Sequence, residues 1–346
     1  MTTTDRGRGP LPASVCEITP TECEARTRVW RDGKLALEGF PVADISDHLE
    51  DESTLIWLDL LEPSPADLAV ISEEFGLHPL SVEDALHERQ RPKVDRYEDH
   101  IFVNMYDAVL DEGTGQLATR EIAAFVTSRA LITVRKSEGF DVADLLRRWD
   151  SVPDLVPSGV AYLLYGLLDK VVDSYFASVQ VLDDAIESIE ERLFDDIPRD
   201  KEVQRRSFEM RKSLVVLRRI VLPMREVVNA FMRRDLHVLT PEITPYYQDV
   251  YDHVLRATEW TESLRDLVST ILETSLTIQG NRLNIIMKKL TSWAAIIAVP
   301  TAVTGFYGQN LPYPGFATHW GVVTSFALMI GIGTALYVSF KRNDWL

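Results

Sequence analysis

Steps of three and four residues from Glu273 give Thr277, Gly280, Asn284, Met287, Thr291, Ala294, Ala298, Thr301 and Gly305. On a helix these fall on one line, and the line is polar or small along its length. The opposite face carries Ile296, Val299 and Val303. Small residues at this spacing also serve close helix packing in lipid. Packing, however, gives no reason for an acid at Glu273 and an amide at Asn284 on the same line, whereas a water-lined path for a cation does. The line ends at Gly308-Gln309-Asn310, beside Pro312. Glycine allows the backbone to leave the helix there, where the last carbonyls lack partners and the helix dipole is negative. Asn310 adds an amide oxygen. A ring of such oxygens suits a hard cation that keeps its water, as Mg2+ does, better than a carboxylate cage would. The tripeptide alone is a very weak signal.

The elements that must position this line are membrane helices. Between Lys289 and Lys341 lie 51 consecutive residues without Asp, Glu, Lys or Arg. A helix crosses the hydrocarbon core in ~20 residues, so the stretch holds two crossings, Leu290–Gly308 and Thr318–Phe340. The intervening loop, 309–317, contains Pro312, Pro314 and Gly315, which cannot continue a helix. Tyr307, Tyr313, Phe316 and Trp320 cluster at that end, and Lys288, Lys289, Lys341 and Arg342 mark the other. The positive-inside rule then places both termini in the cytoplasm and the loop outside, in a two-pass protein of the cell (inner) membrane. Two helices cannot enclose an aqueous path, so conduction requires several copies around one axis.

The chain of 346 residues carries a formal charge of −17, and the part after residue 287 contributes +3 to it. The preceding residues therefore form a strongly acidic body, which excludes a nucleic-acid backbone as the main partner. Cys16 and Cys23 stand alone and build neither a disulfide framework nor a zinc site, as expected of a reducing compartment. Three parts are expected: an α/β domain over 1–155, a helical stalk over 156–289 and a two-helix membrane domain over 290–346. In the first, ESTLIWLDLLEP reads as a strand. SPADLAVISEEFG reads as a helix capped by Ser64, begun by Pro65 and closed by Gly76. HPLSVEDALHERQ reads as a second helix. HIFVNMYDAVL and REIAAFVTSRALITVRK read as strands with a hairpin between them, and FDVADLLRRWD as a further helix.

From about residue 158 the pattern is helical. One helix carries an acidic face (Asp183, Asp184, Glu187, Glu190, Glu191), Pro198 breaks it, and an arginine-rich helix returns. Opposite charges suggest ion pairs between the two, but each such pair contributes little, and solvation of the two faces is the favoured account. From Pro245 no proline appears before Pro300, and Tyr247, Val250, Val254, Ala257, Trp260, Leu264, Leu267, Ile271 and Ile278 follow the helical period. Pro245 to Gly308 then reads as one helix of ~95 Å that runs into the first crossing. No HExxH, P-loop, nucleophile elbow or paired-cysteine site occurs, so an enzyme is not expected. Asp249, Asp252 and His253 suggest a catalytic metal cluster, but on a helix Asp252 and His253 point in part away from the lateral neighbours of Asp249, and nothing supplies a nucleophile.

In HPLSVEDALHERQRPKVDRYEDHIFV, YYQDVYDHVLRATEW, NRLNIIMKKLT and PTAVTGFYGQN, in that order and spacing, and in basic residues before Trp345-Leu346, the sequence resembles the CorA family of divalent-cation channels. The resemblance covers about residue 30 to the end. It implies a homopentameric funnel in the lipid bilayer, each subunit giving an α/β cytoplasmic domain, a long pore helix and a second, peripheral crossing. It implies that Asn310 holds the hydrated ion at the outer mouth and that Gly308 matches the signature glycine. Gln309 departs from the family's methionine and from the isoleucine of its zinc-transporting ZntB branch. The resemblance further places Glu273, Asn284, Met287, Leu290, Ala298, Thr301 and Gly305 along the pore. Met287 and Leu290 are candidates for a constriction that closes by excluding water. Family members often carry methionine at the position of Ala298.

The family's regulatory metal sites lie between subunits. Asp84 and Asp249 match the acidic pair, with Glu83 and Asp173 as partners at a second site. Mg2+ is then both cargo and regulatory ligand, with no other cofactor, and its loss lets the subunits splay. The expected function is channel transport of Mg2+, with Co2+ and Ni2+ as further cargo, into the cytoplasm. The alternatives are a ZntB-like Zn2+ transporter, for which His319 is the titratable residue near the outer loop, and a membrane-anchored metal sensor without transport.

Overall fold

A computed structural model of the chain describes residues 23–51, 53–111, 115–193, 200–233, 236, 238–309, 312, 314–316 and 318–346. The expectations that rest on Cys16, Pro198, Asn310 and Tyr313 lie outside the described residues. The chain divides into two units, Met1–Glu191 with Arg205–Val268, and Arg192–Gln204 with Ser269–Leu346.

In the first unit, seven strands form one sheet. They are β1 (Glu24–Arg31), β2 (Lys34–Glu38), β3 (Leu55–Leu61), β4 (Lys93–Arg96), β5 (Ile101–Leu110), β6 (Leu117–Val126) and β7 (Ala130–Arg135). Their order is β2-β1-β3-β7-β6-β5-β4, and the β3–β7 pair is parallel while every other pair is antiparallel. The helices of this unit are α1 (Ile45–Leu49), α2 (Pro65–Phe75), α3 (Pro79–Leu86), α4 (Val142–Ser151), α5 (Val160–Leu193), α6 (Asp200–Met232) and the first part of α7 (Thr244–Tyr307).

The period-2 alternation of strands sorts side chains between two cores. Ile56, Leu58 and Leu60 of β3, Ala123 and Phe125 of β6, and Ile132 and Val134 of β7 join Leu68, Ile71 and Ala85 of α2 and α3 in one cluster. The intervening residues face the other way. There Trp57 meets Trp149 of α4 edge-on, with ring centroids 5.0 Å apart, and its indole N–H donates to Thr133 at 3.2 Å. Asp59 lies on this second face with Arg135 at 2.8 Å, both almost fully buried. Thr133 donates to Asp59 at 2.7 Å, so the pair keeps hydrogen-bond partners inside the core.

Local signals fix the short helices. Ser64 and Asp67 form a reciprocal capping box at the start of α2, Pro65 occupies its first turn, and Gly76 closes it in the left-handed region at φ 64°. Helix α5 reaches the sheet because Gly166 has no side chain: a Cβ there would run into the indole of Trp149. Trp149 in turn donates to the Leu163 carbonyl at 3.2 Å. Farther along α5, Tyr175 donates to the carbonyl of Tyr106, and Ser174 accepts from Ala108 N, both on β5. Phe231, near the end of α6, packs with Tyr247 of α7, which donates to the Ala161 carbonyl near the start of α5. Thus α6 returns antiparallel to α5. The acidic face of α5 stays largely in solvent, and among the described residues none of its five acids forms an ion pair with α6. Arg218 of α6 pairs instead with Glu262 of α7 at 3.3 Å.

The second unit holds the rest of α7 and α8 (His319–Arg342). Both helices contain a stretch long and apolar enough to cross a membrane, with mean hydropathy 1.3 and 1.8. Apolar side chains such as Leu290, Trp293, Ile297, Val322, Phe326 and Ile330 are exposed, as lipid-facing positions of one chain would be. Thr318 caps α8 by accepting from Gly321 N at 3.3 Å. Gly321 lies so close to the Gly315 backbone that a Cβ would overlap its carbonyl. At the C-terminus Trp345 turns back and stacks on Phe340, with centroids 5.6 Å apart.

Candidate functional site

The proposed pore line lies on α7, and its members are exposed: Glu273, Asn284, Met287, Leu290, Ala298, Thr301 and Gly305 all present themselves to the surroundings of the single chain. Ser292, on the other side of the helix, is fully buried and donates to the Lys288 carbonyl at 2.8 Å. Thr277 and Thr301 return their hydroxyls to the carbonyls four residues back, at 3.0 and 3.1 Å. That leaves each hydroxyl oxygen available to accept. Pro300 lacks an N–H, so the Ile296 carbonyl loses its helical donor within the membrane stretch.

At the end of the line α7 closes at Tyr307, and Gly308 lies in the turn that follows. Gly308 donates to the Thr304 carbonyl at 2.8 Å, and a Cβ added to it would sit 2.9 Å from that same carbonyl. Gln309 N donates to the Phe306 carbonyl at 3.3 Å, continuing the tightened last turn. Asn310 lies outside the described residues.

The expected regulatory acids separate into two groups. Asp84 and Glu83 sit on α3, and Asp173 and Asp249 on α5 and α7. Among the described residues no hydrogen bond or ion pair joins the first group to the second. In the first, Lys93 Nζ lies 2.6 Å from Asp84 Oδ2 and 2.8 Å from Asp95 Oδ2. Partial burial pulls the Lys93 ammonium down, but the two carboxylates outweigh it and raise its pKa. The α3 segment is anchored from beneath by a buried pair. Lys136 donates to Glu121 at 2.9 Å, to the Asp84 carbonyl at 3.3 Å and to the His87 carbonyl. Glu121 also accepts from Asn104 at 3.1 Å and from Arg89 N at 2.8 Å. At the start of α3, Tyr97 stacks between His78 and His100, and His100 Nε2 meets the Ser81 hydroxyl at 2.8 Å. Burial, and then the His78 charge, hold the His100 imidazole below its ordinary pKa.

In the second group, Arg148 of α4 lies 2.7 Å from both Asp169 and Asp173. Lys170 and Arg148 bind Asp144 at 2.7 and 3.1 Å. The Lys170 hydrogen bond, against partial burial and with help from Arg148, brings Asp144 down to about 2. Burial, then repulsion from Asp173, raise Asp169, with Arg148 opposing. His253 Nδ1 is 3.8 Å from Asp249 Oδ2, one helical turn back. Its ring packs edge-on against Phe176. Asp169, Asp173 and His253 bring potential ligand atoms within 4.8 Å of one another. Two carboxylates and an imidazole suit borderline ions such as Zn2+ or Co2+, but the Arg148 guanidinium already occupies both carboxylates. Asp249 is 62% exposed, Asp173 is 44% exposed and Glu83 is exposed, and oxygen donors of this kind fit Mg2+.

Lys93, Arg148, Asp169 and the placement of His253 were not anticipated from the sequence. The i,i+4 spacings Asp169/Asp173 and Asp249/His253 were readable as shared helix faces. The meeting of Asp169 and Asp173 with Arg148 depends on α4 packing against α5, which no local spacing encodes.

A family model described as "CorA-like Mg2+ transporter protein" matches residues 52–342. The "Cobalt/magnesium transport protein CorA" of Thermotoga maritima is 32% identical over 313 residues, covering 89% of this chain and 88% of that protein. The complete structure of the CorA magnesium transporter from Methanocaldococcus jannaschii superposes with a TM-score of 0.74 at 24% identity, covering 93% of this chain and 98% of that one. The ZntB cytoplasmic domain from Vibrio parahaemolyticus superposes less well, with a TM-score of 0.51 at 13% identity over 66% of this chain and 88% of its own. The α/β sheet unit, the long α7 and the two apolar helices have the fold of the full-length transporter. The chain belongs to the CorA-like Mg2+ transporter family.

Proposed function

We propose that this protein is the subunit of a homopentameric channel that admits Mg2+, with Co2+ as a second cargo, to the cytoplasm. The single observation that carries the reading is the family match over residues 52–342. It is supported by an exposed polar and small line on α7 from Glu273 to Gly305. Five copies of that line around an axis enclose a path of hydroxyl, amide and carbonyl oxygens. The path ends at Gly308, Gln309 and Asn310, where the hydrated ion is held. An inside-negative potential of 100 mV drives a divalent ion inward with ~4.6 kcal/mol. Cytoplasmic Mg2+ is sensed between subunits by Asp84 and Glu83 of one copy and by Asp173 and Asp249 of its neighbour. Occupancy neutralises facing carboxylates and holds the closed assembly.

The test is Mg2+ influx into liposomes that carry the purified protein. Asn310→Ala is expected to abolish influx while the assembly keeps its size in detergent. Influx at the wild-type rate in that variant overturns the assignment of the outer mouth, and a monomeric protein in lipid overturns the channel.

A further inference from the structure

Resting on the reading of Asp84 as a regulatory ligand, we propose that Lys93 is a built-in competitor for that carboxylate and sets the Mg2+ concentration at which the sensor fills. Lys93 Nζ bridges Asp84 Oδ2 at 2.6 Å and Asp95 Oδ2 at 2.8 Å. Both Lys93 and Asp84 are sheltered, with side chains 29% and 24% exposed, so this pair is less screened than one in open solvent. The ammonium of Lys93 also lies 5.6 Å from the centre of the Phe102 ring. A divalent ion seated on Asp84 therefore meets an ammonium that already neutralises the same carboxylate. Ammonium and divalent ion are like charges sharing one acceptor, and each weakens the hold of the other.

Asp95 completes the device. It extends from the same strand as Lys93 and is 41% exposed. When Mg2+ takes Asp84, Lys93 keeps a partner in Asp95 and does not have to enter solvent unpaired. The bridging geometry is thus a two-position switch for one ammonium, shared when the ion is scarce and given to Asp95 when it is abundant. Lys93 raises the ionic threshold and Asp95 lowers it, so the two residues act with opposite sign on one equilibrium.

The experiment measures protection of the full-length protein in nanodiscs against limited proteolysis as free Mg2+ is titrated, which reads occupancy without transport. Lys93→Met, which keeps an unbranched apolar stem but removes the ammonium, is expected to lower the protection midpoint roughly threefold or more, the worth of one ion pair of this exposure. Lys93→Arg, which retains the charge, is expected to stay near wild type. Asp95→Asn is expected to raise the midpoint in the wild-type background but to leave it unmoved in Lys93→Met. A midpoint that is unchanged or higher in Lys93→Met overturns the proposal, since Lys93 then merely positions Asp84. An Asp95→Asn shift that persists without Lys93 overturns it too, because a general field effect then suffices. Asp84→Asn separates this failure from that of the underlying reading. If it leaves the midpoint at the wild-type value, Asp84 is no ligand and both fall. If it raises the midpoint while Lys93→Met does nothing, only the competitor is lost.

Discussion

Replacing Lys136 with methionine tests how the acidic edge of α3 is held in place. The Lys136 ammonium has three donors, and all three are used: on Glu121, on the Asp84 carbonyl and on the His87 carbonyl. The pair is buried, with side chains 10% and 7% exposed. Methionine fills the volume but takes the ammonium from the Glu121 carboxylate, which keeps neutral donors such as Asn104 and Arg89 N, and frees two carbonyls near the end of α3. Breaking a buried ion pair from one side costs about 3–5 kcal/mol, because the surviving charge stays out of water. At ~2–4 °C per kcal/mol for a unit of this size, the unfolding midpoint should fall by about 6–20 °C. Thermal unfolding of the full-length protein in detergent, followed by intrinsic fluorescence, reads this directly. The double variant Glu121→Gln/Lys136→Met removes the stranded charge and should recover part of the loss. A double variant no more stable than the single one refutes the electrostatic argument and leaves the lost carbonyl hydrogen bonds as the cause.

Gly166→Ala sets helix propensity against packing. Propensity alone favours alanine by ~1 kcal/mol, but the added Cβ overlaps the Trp149 indole, and overpacking costs about 1–3 kcal/mol. The unfolding midpoint should fall, and a rise would show that α5 can move away from α4. Asp144→Asn should destabilise at neutral pH and progressively less in acid. With Asp144 at about 2 in the folded chain against an ordinary 3.8, its contribution is fully present above about 3.8 and lost as the pH falls through about 2. The difference between the midpoints of variant and wild type should therefore close over that window, and a gap constant down to pH 2 would exclude the Lys170 and Arg148 pairs as its source.

Much of the architecture was legible because its signals are local. Ser64, Pro65 and Gly76 bounded α2 at the observed residues, and the uninterrupted period after Pro245 gave α7, which starts at Thr244. The β1–β2 hairpin was missed although its signal was present. Asp32-Gly33 occupies the left-handed region at φ 48° and 75° between two strands, as an Asp-Gly turn does. Strand β4 has four residues and follows a proline, too little for any periodicity. In the candidate site, acids could be named from the resemblance, but their counter-ions could not. Lys93 lies nine residues from Asp84 and Arg148 lies 25 from Asp173, each on a different element from its partner, so no period within one element links them. Gly308 was found by position, whereas the closeness of the Thr304 carbonyl to it was visible only in three dimensions.

The pairing of the proposed sensor acids with cations of their own chain bears on how an acidic body could use Mg2+ as a signal. A carboxylate that faces another across an interface repels it strongly when bare, so removal of the ion would push copies apart with a force set by full charge. Asp84 and Asp173 are not bare, since Lys93 and Arg148 stand 2.6 and 2.7 Å away. Asp249 differs: it is 62% exposed and, among the described residues, its ion-pair partner is His253 at 3.8 Å. Repulsion across the proposed interface is then concentrated on Asp249, while Asp84 and Asp173 hold neutralised reserve ligands. Mg2+ binding is worth the difference between its own contacts and those of the displaced cations, a smaller quantity than the contacts alone. A sensor of cytoplasmic Mg2+ needs such a small difference. Were the carboxylates uncompensated, they would fill far below the concentrations over which the signal has to vary, and the assembly would stay closed.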